Sequence, residues 1–136
     1  GGFALAAARA GFPRVTGVEV SSGAISSAIS AARHAGLPRS AASFIADDAT
    51  SWARAQSPED VPDVIVVNPP RRGIGADLAA FLNECDAPRV IYSSCNPASL
   101  AKDLAAMPSL RPIEGRIFDM FPHTTHAEVA LLLERA

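Results

Sequence analysis

The stretch VIYSSCNPASLAKDL, Val90 to Leu104, reads as a β-strand that runs straight into an α-helix. Its first half is rich in β-branched, apolar and aromatic side chains, which suit a pleated, buried strand. Its second half opens with Asn96, a favoured helix N-cap, and Pro97, a favoured first helical residue. The same change of pattern repeats along the chain. Strands are expected over VTGVEV (15–20), ASFIA (42–46), DVIVVN (63–68), RVIYSS (89–94), GRIFDM (115–120) and EVALLLE (128–134). Helical patterns lie among them, over FALAAARAG (3–11), SSGAISSAISAARHAG (21–36), and residues 75–86 and 97–107. In the second of these, Ile25, Ala28, Ile29 and Ala32 recur at helical spacing, Ser21 or Ser22 serves as cap, and Gly36 and Pro38 act as stop signals. Strands that alternate with helices argue for an α/β fold of parallel βαβ units. The uninterrupted VIVV run fits a strand covered on both faces by helices, at the centre of the sheet.

The 136 residues suffice for one domain, and 49% apolar with 19% charged residues is the balance of a packed core. A net charge of −2 carries no basic stripe, so any RNA contact has to be local. The two cysteines, Cys85 and Cys95, form no Cys-x-x-Cys pair; free thiols and an intracellular setting follow, and a cysteine zinc site does not. No apolar run nears the roughly 18–20 residues of a membrane span, and no basic-then-apolar leader opens the chain, so a cytoplasmic protein without membrane contact is expected. The opening GGFALAAARAG looks like the end of a glycine-rich loop entering a helix. The strand that should precede such a loop is not in the sequence, so a fragment of a longer protein is expected.

Several polar residues fall at strand ends, where open α/β sheets bind ligands. Glu19, at the end of VTGVEV, is placed to accept hydrogen bonds from both ribose hydroxyls of an adenosyl group, or is simply solvated. Asp47 and Asp48 either reach an adenine amino group or cap the following turn. In NPPRRGIG, each proline locks φ and restricts the residue before it, so the amide of Asn68 sits on a rigid loop. That loop resembles the Asn/Asp-Pro-Pro-aromatic loop of amino-directed DNA methyltransferases. Arg71, however, stands at the aromatic position, which argues against methylation of a base amino group. Arg71 and Arg72 suit a phosphate or a base carbonyl, or an ordinary surface loop. Cys95 lies one step before a helix, where unpaired N–H groups and the macrodipole favour the thiolate; an inert, buried cysteine is the alternative. Cys85 has the inert reading. His123, His126 and Glu128 lie close together in FDMFPHTTHAEV, but their spacing is not that of a helical zinc site, and no metal is expected. Glu128, at the threshold of an apolar strand, suits a partly desolvated general base, with the histidines ordering the loop.

Taken in order, NPPRRGIG, YSSCNPASLAKDL and FDMFPHTTHAEV closely resemble the RNA uracil-5-methyltransferases, especially the bacterial branch that modifies 23S ribosomal RNA. The resemblance spans nearly the whole chain and implies a Rossmann-like class I methyltransferase fold, with a mostly parallel sheet, helices on both faces and its first strand lacking. Residues 1–136 would be the catalytic domain, truncated at the amino end. It implies S-adenosylmethionine as cofactor and RNA, not DNA, as partner. It assigns Cys95 as nucleophile, Glu128 as base, Glu19 to the cofactor ribose, Asp48 to the adenine, Asn68 to the cofactor side of the Pro-Pro-Arg loop, and Arg71 and Arg72 to the substrate. The iron–sulfur cysteines of many members would lie in an upstream part, with the RNA-binding domain. The competing expectation is a fragment that folds or binds without turning over.

Overall fold

The computed structural model describes residues 1–120 and 122–136. Phe121, within the FDMFPHTTHAEV motif, lies outside the described residues. The chain divides into two compact units, Gly1–Ala55 and Gln56–Ala136.

The first unit runs α1 (Gly2–Arg9), β1 (Val15–Glu19), α2 (Ser22–His34), β2 (Ala42–Ala46) and α3 (Ala49–Arg54). β1 and β2 pair in parallel, with Val15 opposite Ala42 and Glu19 opposite Ala46. A parallel pair needs a crossover, and α2 supplies it. The Ser21 hydroxyl accepts from the Ala24 amide at 3.3 Å and caps α2, which settles the choice between the two serines. Ile25, Ala28 and Ala32 form the buried stripe expected of this helix, while Ile29 is half-buried.

The second unit runs through a 3-10 turn (Pro58–Asp60), β3 (Val64–Val67), α4 (Ala76–Glu84), β4 (Arg89–Ser94), α5 (Pro97–Ala105), β5 (Leu110–Phe118) and β6 (Glu128–Arg135). Its sheet has the order β3-β4-β6-β5. β3 and β4 are parallel, as a βαβ unit requires; β6 is antiparallel to both β4 and β5. β3 pairs only with β4 among the described residues, and Val66 is 40% exposed, so the interior strands of this sheet are β4 and β6. The core joins Ala79 and Leu82 of α4, Val90 and Tyr92 of β4, Leu100 of α5, Met107 in the turn that follows, Leu110 of β5, and Leu133 of β6.

Two polar devices complete this interior. The Tyr92 hydroxyl donates to Asp103 Oδ2 at 2.5 Å, and the same oxygen accepts the Ile74 amide at 2.9 Å, so the carboxylate of α5 is partnered although Asp103 is 5% exposed. The Arg135 guanidinium donates to the carbonyls of Leu82 and Asn83 at 2.9 Å and of Ala87 at 3.2 Å, satisfying groups that the end of α4 leaves unpaired.

β5 starts at Leu110 rather than at Gly115, because its first residues carry no β-rich apolar run that would announce a strand. Almost all of it is exposed, and the register slips between Pro112 and Glu114, a bulge suited to an edge that carries proline. α3 was not anticipated; it is short, and its start is set by the Asp48 cap.

Candidate active site

Cys95 follows the last residue of β4 and is half-buried. The turn that presents it is tied down by its neighbours. Asn96 is the N-cap of α5, accepting the Ala98 amide at 3.1 Å. The Ser94 hydroxyl accepts the Asn96 amide at 3.0 Å and donates to the Asn96 carbonyl at 3.0 Å. Pro97 occupies the first turn, where its missing N–H costs nothing. The sequence reading of this junction therefore holds in its geometry: strand, cysteine, cap, helix.

The Asn96 side-chain amide also donates to the Arg71 carbonyl at 2.8 Å, which fastens the Asn-Pro-Pro-Arg-Arg loop to the Cys95 turn. The loop closes as a turn from the Pro70 carbonyl to the Gly73 amide at 2.9 Å. Gly73 adopts φ +90°, is buried, and has no room for a Cβ, which would run into the Asp103 carboxylate. Asp103 holds the next amide, that of Ile74, so the turn is clamped at Arg71 and again at Ile74. The side chains of Asn68, Arg71 and Arg72 are exposed, and Arg71 Nη2 lies 3.4 Å from His126 Nδ1.

Glu128 opens β6 and is half-buried. Its Oε1 accepts the Ser93 hydroxyl at 2.6 Å. In the antiparallel ladder Ser93 stands opposite Ala130 and Ser94 opposite Val129. Cys95 and Glu128 are the next residues beyond that last pair, Cys95 just past the end of β4 and Glu128 at the start of β6. The end of β4 and the start of β6 thus put Cys95 and Glu128 at the same end of the ladder, and the loop holding Arg71 meets both segments through Asn96 and His126. His126 is further ordered by a bond from its amide to the Thr124 hydroxyl at 3.2 Å, and His123 adopts φ +67°. Among the described residues no group of three or more His, Cys, Asp and Glu side chains is arranged to hold a metal ion.

Within the first unit, Glu19 sits exposed at the carboxyl end of β1 with Oε1 accepting the Ser21 amide at 3.0 Å. Asp48 caps α3, its Oδ1 accepting the Ser51 amide at 2.9 Å. Bonds from Ser51, the amide before the hydroxyl, and from the Thr50 amide hold the Asp48 carboxyl below its usual range. Asp47 accepts the Asp48 amide at 2.8 Å. Cys85 terminates α4, with Sγ 3.7 Å from the Leu82 carbonyl and 3.8 Å from Arg135.

Sequence reasoning passed over Ser93 and Asp103. Ser93 shows itself only through the β4–β6 register, which no local pattern reveals. Asp103 falls on an amphipathic helix, where a carboxylate reads as solvated.

The pattern of the tRNA (uracil-5-)-methyltransferases matches residues 60–136, more than half of the chain. The chain belongs to this family. A family relative from Halothiobacillus neapolitanus, 23S rRNA (uracil(747)-C(5))-methyltransferase RlmC, is 48% identical over 99% of the chain and 35% of the relative. The protein of the same description from Pectobacterium atrosepticum is 43% identical over the whole chain and again 35% of the relative. The chain thus spans about a third of the length of the curated relatives it matches. Among solved structures, the Pyrococcus abyssi tRNA (uracil-54, C5)-methyltransferase, determined with S-adenosyl-L-homocysteine, superposes with a TM-score of 0.81 at 31% identity, covering 96% of this chain and 31% of that one. TrmN from Thermus thermophilus shares the fold at a TM-score of 0.74 and 23% identity, over 100% of this chain and 41% of its own. The fold is the Rossmann-like class I methyltransferase fold.

Proposed function

We propose that residues 1–136 form the catalytic domain of an enzyme that moves a methyl group from S-adenosylmethionine to carbon 5 of a uridine in RNA, with 23S ribosomal RNA as substrate and the cytoplasm as its place of action. The observation that carries this reading is the β4–β6 ladder, which ends at Ser94 opposite Val129 and leaves Cys95 and Glu128 as the next residue on each strand, with the Ser93 hydroxyl holding the Glu128 carboxylate. A nucleophile and a base on opposite strands are what carbon-5 methylation of a pyrimidine needs.

Carbon 5 of uracil is a poor nucleophile. Cys95 adds as the thiolate to carbon 6, and the electron pair of the 5,6 double bond shifts to make an enolate that is nucleophilic at carbon 5. S-adenosylmethionine, when bound, would supply the methyl group to that carbon, its methyl–sulfur bond breaking to leave S-adenosylhomocysteine. Glu128 then takes the proton left on carbon 5, and the thiolate departs from carbon 6. Arg71 and Arg72 lie on a clamped turn beside this position and offer forked donors to a uracil carbonyl or a phosphate. The target base is inaccessible in a stacked helix, so it enters flipped out or from a loop.

The resemblance assigns Glu19, Asp48 and Asn68 to the cofactor, each with its own local geometry. Glu19 keeps an exposed carboxylate at a strand's carboxyl end, with one oxygen already oriented by the Ser21 amide, and takes the ribose hydroxyls. Asp48 spends Oδ1 on the α3 cap, so an adenine amino group falls to its second oxygen. Asn68, exposed just after β3 and before two prolines, is assigned to the cofactor side of its loop.

The test is covalent trapping. The complete protein that contains these residues is incubated with S-adenosylmethionine and an RNA stem-loop carrying 5-fluorouridine, which leaves no removable proton on carbon 5. A denaturation-resistant protein–RNA adduct mapping to Cys95 is expected, and none in Cys95→Ala. An adduct that persists in that variant overturns the assignment.

A further inference from the structure

We propose that Ser93 is a positioning residue for Glu128, governing release of the methylated base rather than formation of the adduct; this rests on the reading of Cys95 and Glu128 given above. Ser93 is 4% exposed, and its one hydroxyl proton goes to Glu128 Oε1 at 2.6 Å, a length typical of a hydroxyl bound to a carboxylate. The ladder puts Ser93 opposite Ala130, so Ser93 and Glu128 occupy the same face as diagonal neighbours. Two residues reach at most about 7 Å along a strand, so the Ser93 Cα stands within that distance of the Cys95 Cα. Oε1 is thereby fixed, and Oε2 is the oxygen left to collect a proton.

Consecutive serines divide the labour. Ser94 spends its hydroxyl on the Asn96 backbone and shapes the Cys95 turn, whereas Ser93 gives its hydroxyl proton to Glu128. Loss of the Ser93 hydroxyl should leave attack on carbon 6 and methyl transfer in place, because Cys95, Asn96 and Arg71 keep their contacts. It should slow only the following step. There the carbon 5–hydrogen bond breaks and its proton goes to Glu128. The electron pair left behind restores the 5,6 double bond, and the carbon 6–sulfur pair departs with the Cys95 thiolate.

The experiment uses the complete protein, S-adenosylmethionine and RNA with ordinary uridine. It reads both 5-methyluridine turnover and the fraction of RNA linked to Cys95 after a denaturing quench. In Ser93→Ala, turnover should fall by about tenfold, part of the roughly 10²–10⁴-fold that a placed general base supplies, while the adduct accumulates. Ser93→Thr, which keeps the hydroxyl on a residue suited to strands, should restore turnover. In a Glu128→Gln background the serine change should add nothing, because the two act as a unit. Unchanged turnover in Ser93→Ala, or adduct and turnover falling together, overturns the proposal. Failure of the parent protein to form any adduct, even with 5-fluorouridine, overturns the reading of the site instead.

Discussion

Replacing Tyr92 with phenylalanine removes one oxygen and little volume, so it isolates the bond to Asp103. The carboxylate has two donors, the Tyr92 hydroxyl at 2.5 Å and the Ile74 amide at 2.9 Å, and Asp103 is 5% exposed. Without the phenol, a buried charge keeps only one of them, and little water can make up the difference. Bonds to charged groups contribute about 1.5–3 kcal/mol, so the folding equilibrium should fall roughly 10- to 150-fold. With a urea dependence of about 1–3 kcal/mol per molar, the unfolding midpoint should drop by about 1 M. The assay is equilibrium urea unfolding followed by far-ultraviolet circular dichroism. Tyr92→Phe combined with Asp103→Leu should recover much of the loss, because no stranded charge remains. A Tyr92→Phe midpoint indistinguishable from the parent, or a double variant as unstable as the two single changes added together, would refute the reasoning.

Burial, followed by the hydrogen bond to Asp103 and repulsion from its carboxylate, raises the Tyr92 phenol above its ordinary range. A raised folded-state value stabilises the fold below the unfolded-state value near 10, and that contribution is lost as pH climbs beyond it. Tyr92 is the chain's one tyrosine, so ultraviolet absorbance of phenolate should rise together with alkaline unfolding. Native chain titrating near pH 10 would contradict this. Arg135→Ala should lower stability by about 2–4 kcal/mol in thermal or urea unfolding, since several charge-assisted bonds to carbonyls at and just beyond the end of α4 disappear together. Arg135→Lys should restore less than half of that, because an ammonium cannot reproduce the fork.

The parts of this molecule that announce themselves in sequence are those whose signals are local. Asn96-Pro97 after an apolar run specifies a strand, a turn and a capped helix within a few residues, and the structure has all three. Ser21 and the Ile25, Ala28 and Ala32 stripe do the same for α2. Of β5, expected over 115–120, only the first residues escaped, because an exposed edge strand needs no apolar run; its start at Leu110 depends on pairing with Arg135. Asp48 carried two readings that position alone could not separate, and the bond to Ser51 shows the capping one in place. The links between loops were illegible for another reason. Ser93 with Glu128, Tyr92 with Asp103, and Asn96 with Arg71 are all contacts between separate segments, and only folding brings them within reach.

The antiparallel insertion of β6 between β4 and β5 has an evolutionary corollary. Glu128 is located by pairing with Phe118 across one edge, and across the other by the pairing of the next residues, Val129 and Ala130, with Ser94 and Ser93. Insertions or deletions ahead of Glu128 can therefore accumulate without displacing it. One residue gained between Glu128 and Ala130 would instead reverse the pleat and swing the carboxylate to the opposite side of the sheet.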